Sequence, residues 1–356
     1  MNSLDFYKDK KILITGNTGF KGTWLSKVLL QAGAQVLGYS LDAPTEPGLY
    51  HILRMENQMR TVRGDICDFE KLSAAFKRFQ PEIVFHLAAQ PLVQESYRSP
   101  RETYAVNVMG TVNVLECVRL NTCVKSFLNI TTDKVYKNNE WFWGYREEDV
   151  LNGYDPYSNS KSCSELITET YKRSFLGQKE VAVSTARAGN VIGGGDFAKG
   201  RILPDCVRAA LQKSDIVLRN PYSVRPYQHV LEALYGYLLI AEKQYKDINL
   251  QGAYNIGPQE SSCITTLELT KIFCQNWGMH LKWEISSGQK DMLHEAHYLK
   301  LDCSKIKGLM KWNTVWDIET AVKKVVDWTR AWSSGEKQAE IELERQIMDF
   351  WRQIDG

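Results

Sequence analysis

The 356-residue chain has little charge of one sign, no long hydrophobic run and no Cys-x-x-Cys pair. With 44 Lys and Arg against 42 Asp and Glu, the net charge of +2 provides no basic excess for neutralising a phosphate backbone, so nucleic acid is not expected as a partner. The longest apolar runs, such as Leu234 to Ile240, fall well short of the ~20 residues of a membrane span. Asp5, Lys8 and Asp9 break up the start, which therefore does not read as a signal peptide. Eight cysteines without paired spacing suit reduced, structural thiols in a cytoplasmic protein. His294 and His297 have ligand-like spacing, but no Cys or carboxylate cluster completes a zinc shell, and no metal is expected.

What is present is a regular alternation. Apolar runs at 11–15, 35–39, 82–86, 124–130 and 181–187 alternate with amphipathic segments at 20–31, 69–79, 101–120 and 157–175. Continuous apolar strands between helices predict a doubly wound parallel sheet of Rossmann type. Beyond Arg187, glycines at 189 and 193–195 and prolines at 204, 221, 226 and 258 break the pattern. The expected division is therefore a dinucleotide-binding domain over 1–187 and a smaller α/β domain over 188–356, some of whose segments return to the first. The closing helices, near 318–332 and 338–351, are expected to pack peripherally.

Gly16-Asn17-Thr18-Gly19-Phe20-Lys21-Gly22 lies between the first strand and the first helix. Gly16 permits the sharp turn, Gly19 lets backbone approach a pyrophosphate, and Gly22 lets the helix pack closely on the sheet. The free N–H groups of the helix start attract phosphate. Among 24 glycines the spacing alone is weak, and its strand–turn–helix setting is what points to a dinucleotide. At the end of the second strand, where a carboxylate commonly holds a ribose hydroxyl, stands Ser40, with Asp42 two residues on. Asp42, with no Arg in that stretch, favours NAD over NADP. Asp65 and Ile66 are placed to hold the adenine, or Asp65 caps the helix near Phe69.

Tyr157 and Lys161 share a helix face at i and i+4, a spacing that Tyr7 and Lys11 also show. The difference is the preceding strand and its continuation, Thr131-Thr132-Asp133-Lys134. A phenol with a pKa of about 10 is a poor base at neutral pH, but an ammonium beside it and an oxidised nicotinamide favour the phenolate. With Thr132 bonding the same hydroxyl, the set can take a proton from an alcohol while its hydride leaves. Asp133 and Lys134 otherwise form a solvated pair after a strand. Arg219 and Arg225, close together in a Pro-bounded loop, suit a diphosphate, although either alone is more often a surface charge.

These residues, with His86-Leu87-Ala88-Ala89-Gln90 and Asn107, resemble the extended short-chain dehydrogenase/reductases acting on nucleotide sugars, over nearly the whole chain. Thr132-Asp133-Lys134 is similar to the signature of their 4,6-dehydratase branch. The resemblance implies NAD bound by residues 16–22 with Leu87, Ala88, Ala89, Asn107, Tyr157 and Lys161, and a nucleotide sugar met by Gln90, Asn190, Arg201, Arg219 and Arg225. It implies Asp133 as the acid that expels water, which needs a raised pKa. Related dehydratases carry Glu where this chain has Lys134, leaving that lysine as base at sugar carbon 5 or as cation beside the enolate. A homo-oligomer, dimer or tetramer, is implied, with the helices at 101–120 and 157–175 forming a dimer. An epimerase or reductase of the same fold, or a noncatalytic dinucleotide sensor, are the alternatives.

Overall fold

The computed structural model describes residues 2–278, 281–286 and 298–356; His294 and His297 lie outside them. Strand β1 (Lys11–Thr15) sits near the middle of a seven-stranded sheet. It is flanked on one side by β2 (Gln35–Ser40) and β3 (Arg60–Arg63), and on the other by β4 (Ile83–His86), β5 (Ser126–Ile130) and β6 (Ala182–Ala188). Three short strands, β7 (Asn190–Ile192), β8 (Ile216–Leu218) and β9 (Val224–His229), lie outside this sheet, and β10 (Ala253–Ile256) returns to pair with β6. All pairings within the large sheet are parallel, in the order β10-β6-β5-β4-β1-β2-β3. This is the expected doubly wound arrangement, with a seventh strand from beyond residue 188.

Both faces of the sheet are covered because successive side chains of each strand point to opposite sides. Ile12 and Ile14 join one core with Trp24, Leu25 and Val28 of helix Phe20–Gln31 and with Val230 and Leu234 of helix Val230–Lys246. Leu13 joins the other, with Leu72 and Phe76 of helix Phe69–Phe79 and Val114 and Val118 of helix Gly110–Leu120. The long helix expected over 101–120 is interrupted by a π-helical stretch, Ala105–Met109, which carries Asn107. The closing helices differ from expectation. Ile318–Ser333 and Glu336–Asp355 are not peripheral, since Trp328, Leu343, Phe350 and Trp351 are fully buried in the same core as Trp24. Their apolar stripes were legible; that the stripes meet the main core is a matter of tertiary packing.

A second core holds the smaller substructure, in which β9 pairs with β7 and with β11 (Cys263–Thr265), and helix Thr266–Trp277 packs on both Ile202–Gln212 and Ile318–Ser333. In the large sheet the order of connection reverses between β1 and β4, and a crevice at the carboxyl ends of parallel strands at such a switch point is where these sheets bind ligands.

Candidate active site

The glycine loop lies at that crevice, and each glycine meets a different constraint. Gly16 has φ +77°, and a Cβ there would stand 2.7 Å from the Ala88 nitrogen, so the loop presses directly on the segment after β4. A Cβ on Gly22 would lie 2.1 Å from the Gly16 carbonyl oxygen. At Gly19 the protein is not crowded, the nearest atom being 3.5 Å away, and Gly19 begins helix Phe20–Gln31 with no side-chain cap. An uncapped helix start facing open space fits a pyrophosphate. Asn17 turns inward instead, its Nδ2 donating to Thr61 Oγ1 at 2.8 Å. Phe20 packs its ring against Gly193.

The adenosine end is built by neighbouring strands. Thr18 and Ser40 share a 2.7 Å hydrogen bond, and Asp42 forms an exposed ion pair with Arg63. No arginine adjoins Asp42 in sequence, but the β2–β3 register sets Arg63 opposite Ser40. Ile66 is buried against Gly110. Asp65 accepts from the Cys67 N–H at 2.8 Å, while Asp68, not Asp65, caps the helix at Phe69. Leu87 and Ala88 are held to Thr15 through their N–H groups, and Ala89 follows at the rim. Asn107 accepts from Gln90 N–H at 2.8 Å and donates to Ser160 Oγ at 2.9 Å. The Gln90 amide is itself engaged, with Thr103 at 2.9 Å and Leu92 N–H at 2.6 Å. These two residues thus tie the segment after β4 to the helices behind it.

Opposite the glycine loop, helix Pro156–Tyr171 presents Tyr157 and Lys161 toward the segment that follows β5. Asp155 caps this helix by accepting from Ser158 N–H at 2.9 Å, which fixes Tyr157 in the first turn. Burial pushes the Tyr157 phenol up to about 12, opposed by the neighbouring Thr132 hydroxyl and by the Arg201 charge. Lys161 donates to the Ile130 carbonyl at 3.0 Å, and burial with the Lys21 charge brings its amine down to about 7. Lys161 is thus bonded to backbone, and the Arg201 charge is among the influences that favour the Tyr157 phenolate. Lys21, half-buried in the loop, is lowered to about 8 by burial and Arg201, with Asp133 and Asp196 opposing.

Asp133 is 2 % exposed. Its Oδ1 accepts from Thr132 Oγ1 at 3.0 Å, and its Oδ2 has no partner among the described residues. Burial raises its pKa, with Lys134, the Thr132 bond and Arg225 acting against the rise. Arg225, on β9, is buried beside Asp133, whereas Arg219 is half exposed, donating to the Gly200 carbonyl at 3.3 Å. The two arginines therefore do not form one clamp, although both border the crevice side of the smaller substructure. Arg201 pairs with Asp196 at 3.1 Å, and Asn190 lies on β7 opposite Tyr227. Sequence reasoning did not flag Asp196, Glu165 or Arg187 as parts of this site. Glu165 could have been found, since it lies four residues beyond Lys161 and eight beyond Tyr157, on one helix face.

A dinucleotide crevice facing a Tyr–Lys–Thr set and a buried aspartate defines a class, and comparison with known proteins agrees. The chain belongs to the GDP-mannose 4,6 dehydratase family, whose model matches residues 13–325. It is 45% identical over 352 residues to the CDP-glucose 4,6-dehydratase of Salmonella typhimurium, covering 97% of each chain. It is 27% identical to a probable dTDP-glucose 4,6-dehydratase of Sinorhizobium fredii, over 89% of this chain and 92% of that one. Among solved structures, the dTDP-glucose 4,6-dehydratase of Bacillus anthracis in complex with NAD superposes with a TM-score of 0.75 at 22% identity, covering 90% and 96%. The UDP-glucose 4-epimerase of Thermotoga maritima gives 0.78 at 23%, covering 90% and 98%. These two likenesses concern the fold.

Proposed function

We propose that the protein dehydrates CDP-D-glucose to CDP-4-dehydro-6-deoxy-D-glucose, with NAD as a cofactor restored in each turnover. The observation that carries this reading is Asp133: a buried carboxyl, raised in pKa, one oxygen held by Thr132 and the other unpartnered, beside the Tyr157 phenol. An epimerase or reductase needs only Thr132, Tyr157 and Lys161. A protonated acid at this place adds what an elimination requires.

NAD would supply a hydride acceptor at sugar carbon 4 and a hydride donor at carbon 6. The residues that fit it are the uncapped turn 16–22, Thr18 with Ser40, the segment 87–89 and Lys161. Tyr157 takes the proton from the carbon 4 hydroxyl while Thr132 orients it. The ketone so formed acidifies carbon 5, and Asp133 gives its proton to the hydroxyl departing from carbon 6. Lys134, half-buried next to Asp133, serves carbon 5 as base or as cation beside the enolate. Arg201, Arg219, Arg225 and Asn190 border the crevice from the smaller substructure, where residues 188–356 would receive most of the nucleotide diphosphate. The cytidine base is taken from the Salmonella relative.

We also propose a homo-oligomer joined through the helices at 101–120 and 157–175, which leave Met109, Leu120, Leu166 and Phe175 exposed. All eight cysteines are free, in keeping with a cytoplasmic setting, and no helix among the described residues is long and apolar enough to cross a membrane. Purified protein incubated with CDP-, dTDP-, GDP- and UDP-glucose should convert the CDP-sugar to a product lighter by one water in the mass spectrum. No water loss from any of the four overturns the reading.

A further inference from the structure

The groups that must cooperate in this reading come from different elements: Tyr157 and Lys161 from helix Pro156–Tyr171, and Thr132 and Asp133 from the segment after β5. Something must hold those two elements in register, because an error of about 1 Å in such a site costs on the order of a hundred-fold in rate. One carboxylate, absent from the chemistry itself, touches both.

Glu165 is 3 % exposed. Its Oε1 accepts a hydrogen bond from the Thr131 hydroxyl, the residue immediately before Thr132. Its Oε2 accepts from Thr185 Oγ1 at 2.7 Å and from Arg187 Nη2 at 2.8 Å, both on β6. Arg187, also buried, extends the connection past the reacting residues. Its Nη1 donates to Tyr136 Oη at 2.9 Å and to the Glu147 carbonyl at 2.9 Å, with the guanidinium 5.1 Å from the Tyr136 ring centroid. Tyr136 Oη donates in turn to Asn255 Oδ1 at 2.6 Å. Thr131 and Tyr136 bracket Thr132, Asp133 and Lys134, so the stretch is pinned on each side. One pin is the Glu165 carboxylate and the other is its partner guanidinium.

We propose that Glu165 and Arg187 are positioning residues that set Asp133 and Thr132 against Tyr157, the Thr131 hydroxyl linking the Glu165 carboxylate to the N-terminal side of the reacting segment while Ser162 Oγ holds the Val135 carbonyl at 2.7 Å on its far side. This rests on the dehydratase reading for its consequence in turnover, but not for its consequence in structure. Glu165 itself is a poor probe, since removing one partner of a buried ion pair leaves an uncompensated charge and destabilises the fold. Thr131 and Thr185 give a cleaner comparison. Each donates one hydroxyl bond to the same carboxylate, and only Thr131 belongs to the segment that carries Asp133.

The test replaces each threonine by the near-isosteric valine, T131V and T185V, in the full chain. Amide hydrogen exchange is followed across residues 132–136, and turnover of CDP-glucose is measured alongside. T131V should speed exchange in that segment and lower kcat about ten- to a hundred-fold with KM little changed. T185V, having lost an equivalent bond, should leave exchange there at the wild-type rate and kcat within about two-fold. Equal exchange in the two variants overturns the positioning role whatever the reaction is. A wild-type protein that releases no water overturns the functional reading, while the exchange comparison still decides the proposal.

Discussion

At the scale of single residues, the site is a set of ionisable groups that burial has moved away from their charged forms. Tyr157 is pushed up by burial, and Lys161 is pushed down to about 7. Y157F removes only the phenolic oxygen, so the fold and ligand binding should survive while kcat falls about 10²- to 10⁴-fold; near wild-type turnover would remove Tyr157 from the chemistry. D133N keeps the shape of the side chain but cannot give up a carboxylic proton. Oxidation at carbon 4 should continue while water loss slows, so absorbance of reduced nicotinamide should build up in the mixed enzyme, whereas unchanged dehydration would refute the acid role. Lys161 makes a stability prediction with a definite sign. Its amine titrates near 7 in the folded chain and near ~10.4 when unfolded, so between those values the unfolded state binds more protons and stability rises with pH. K161M lacks this dependence. It should be more stable than wild type at pH values below about 7, by on the order of a few kcal/mol, and the advantage should shrink as pH approaches ~10. Denaturant unfolding at a series of pH values checks it, and a pH-independent difference would contradict it.

At the scale of elements, the glycine loop separates folding from binding. A Cβ at position 22 would meet the Gly16 carbonyl at 2.1 Å, so G22A should displace the loop and cost about 1–3 kcal/mol. G19A faces an atom at 3.5 Å and should cost at most about 1 kcal/mol, yet its methyl enters the space offered to a pyrophosphate. Melting temperatures and NAD titration together should show G22A losing stability and G19A losing mainly affinity. Equal NAD affinity for G19A and wild type would move the phosphates elsewhere. This loop was legible in the sequence because all its constraints are local: a buried strand, a turn and a helix start within a dozen residues. The same holds for Tyr157 with Lys161 and for Thr132 with Asp133. Arg201 acting on Tyr157, and Arg225 lying beside Asp133, could not be read, since 44 and 92 residues separate the partners. Strand β10 was equally hidden, because four residues between glycines carry no usable period. Arg63 beside Asp42 is a product of strand register and not of sequence distance.

At the scale of the whole molecule, the sheet order brings the glycine loop, the segment after β4 and the segment after β5 to one edge, and the smaller substructure sets Arg201 and Arg225 over them. On the proposed reading, that arrangement would let one site perform oxidation, elimination and reduction without releasing what it has taken. The central claim is that hydrogen removed from carbon 4 is returned to the same sugar at carbon 6. Asp133 separates this account from simple oxidation or inversion, since only the elimination uses it. The most direct measurement converts CDP-glucose carrying deuterium at carbon 4 in ordinary water and locates the label by NMR and mass spectrometry. The account predicts deuterium at carbon 6 of the 4-keto-6-deoxy product, with carbon 5 taking its hydrogen from solvent. Deuterium in free cofactor, or retained at carbon 4, would contradict it even if Tyr157, Asp133 and Lys134 all proved essential.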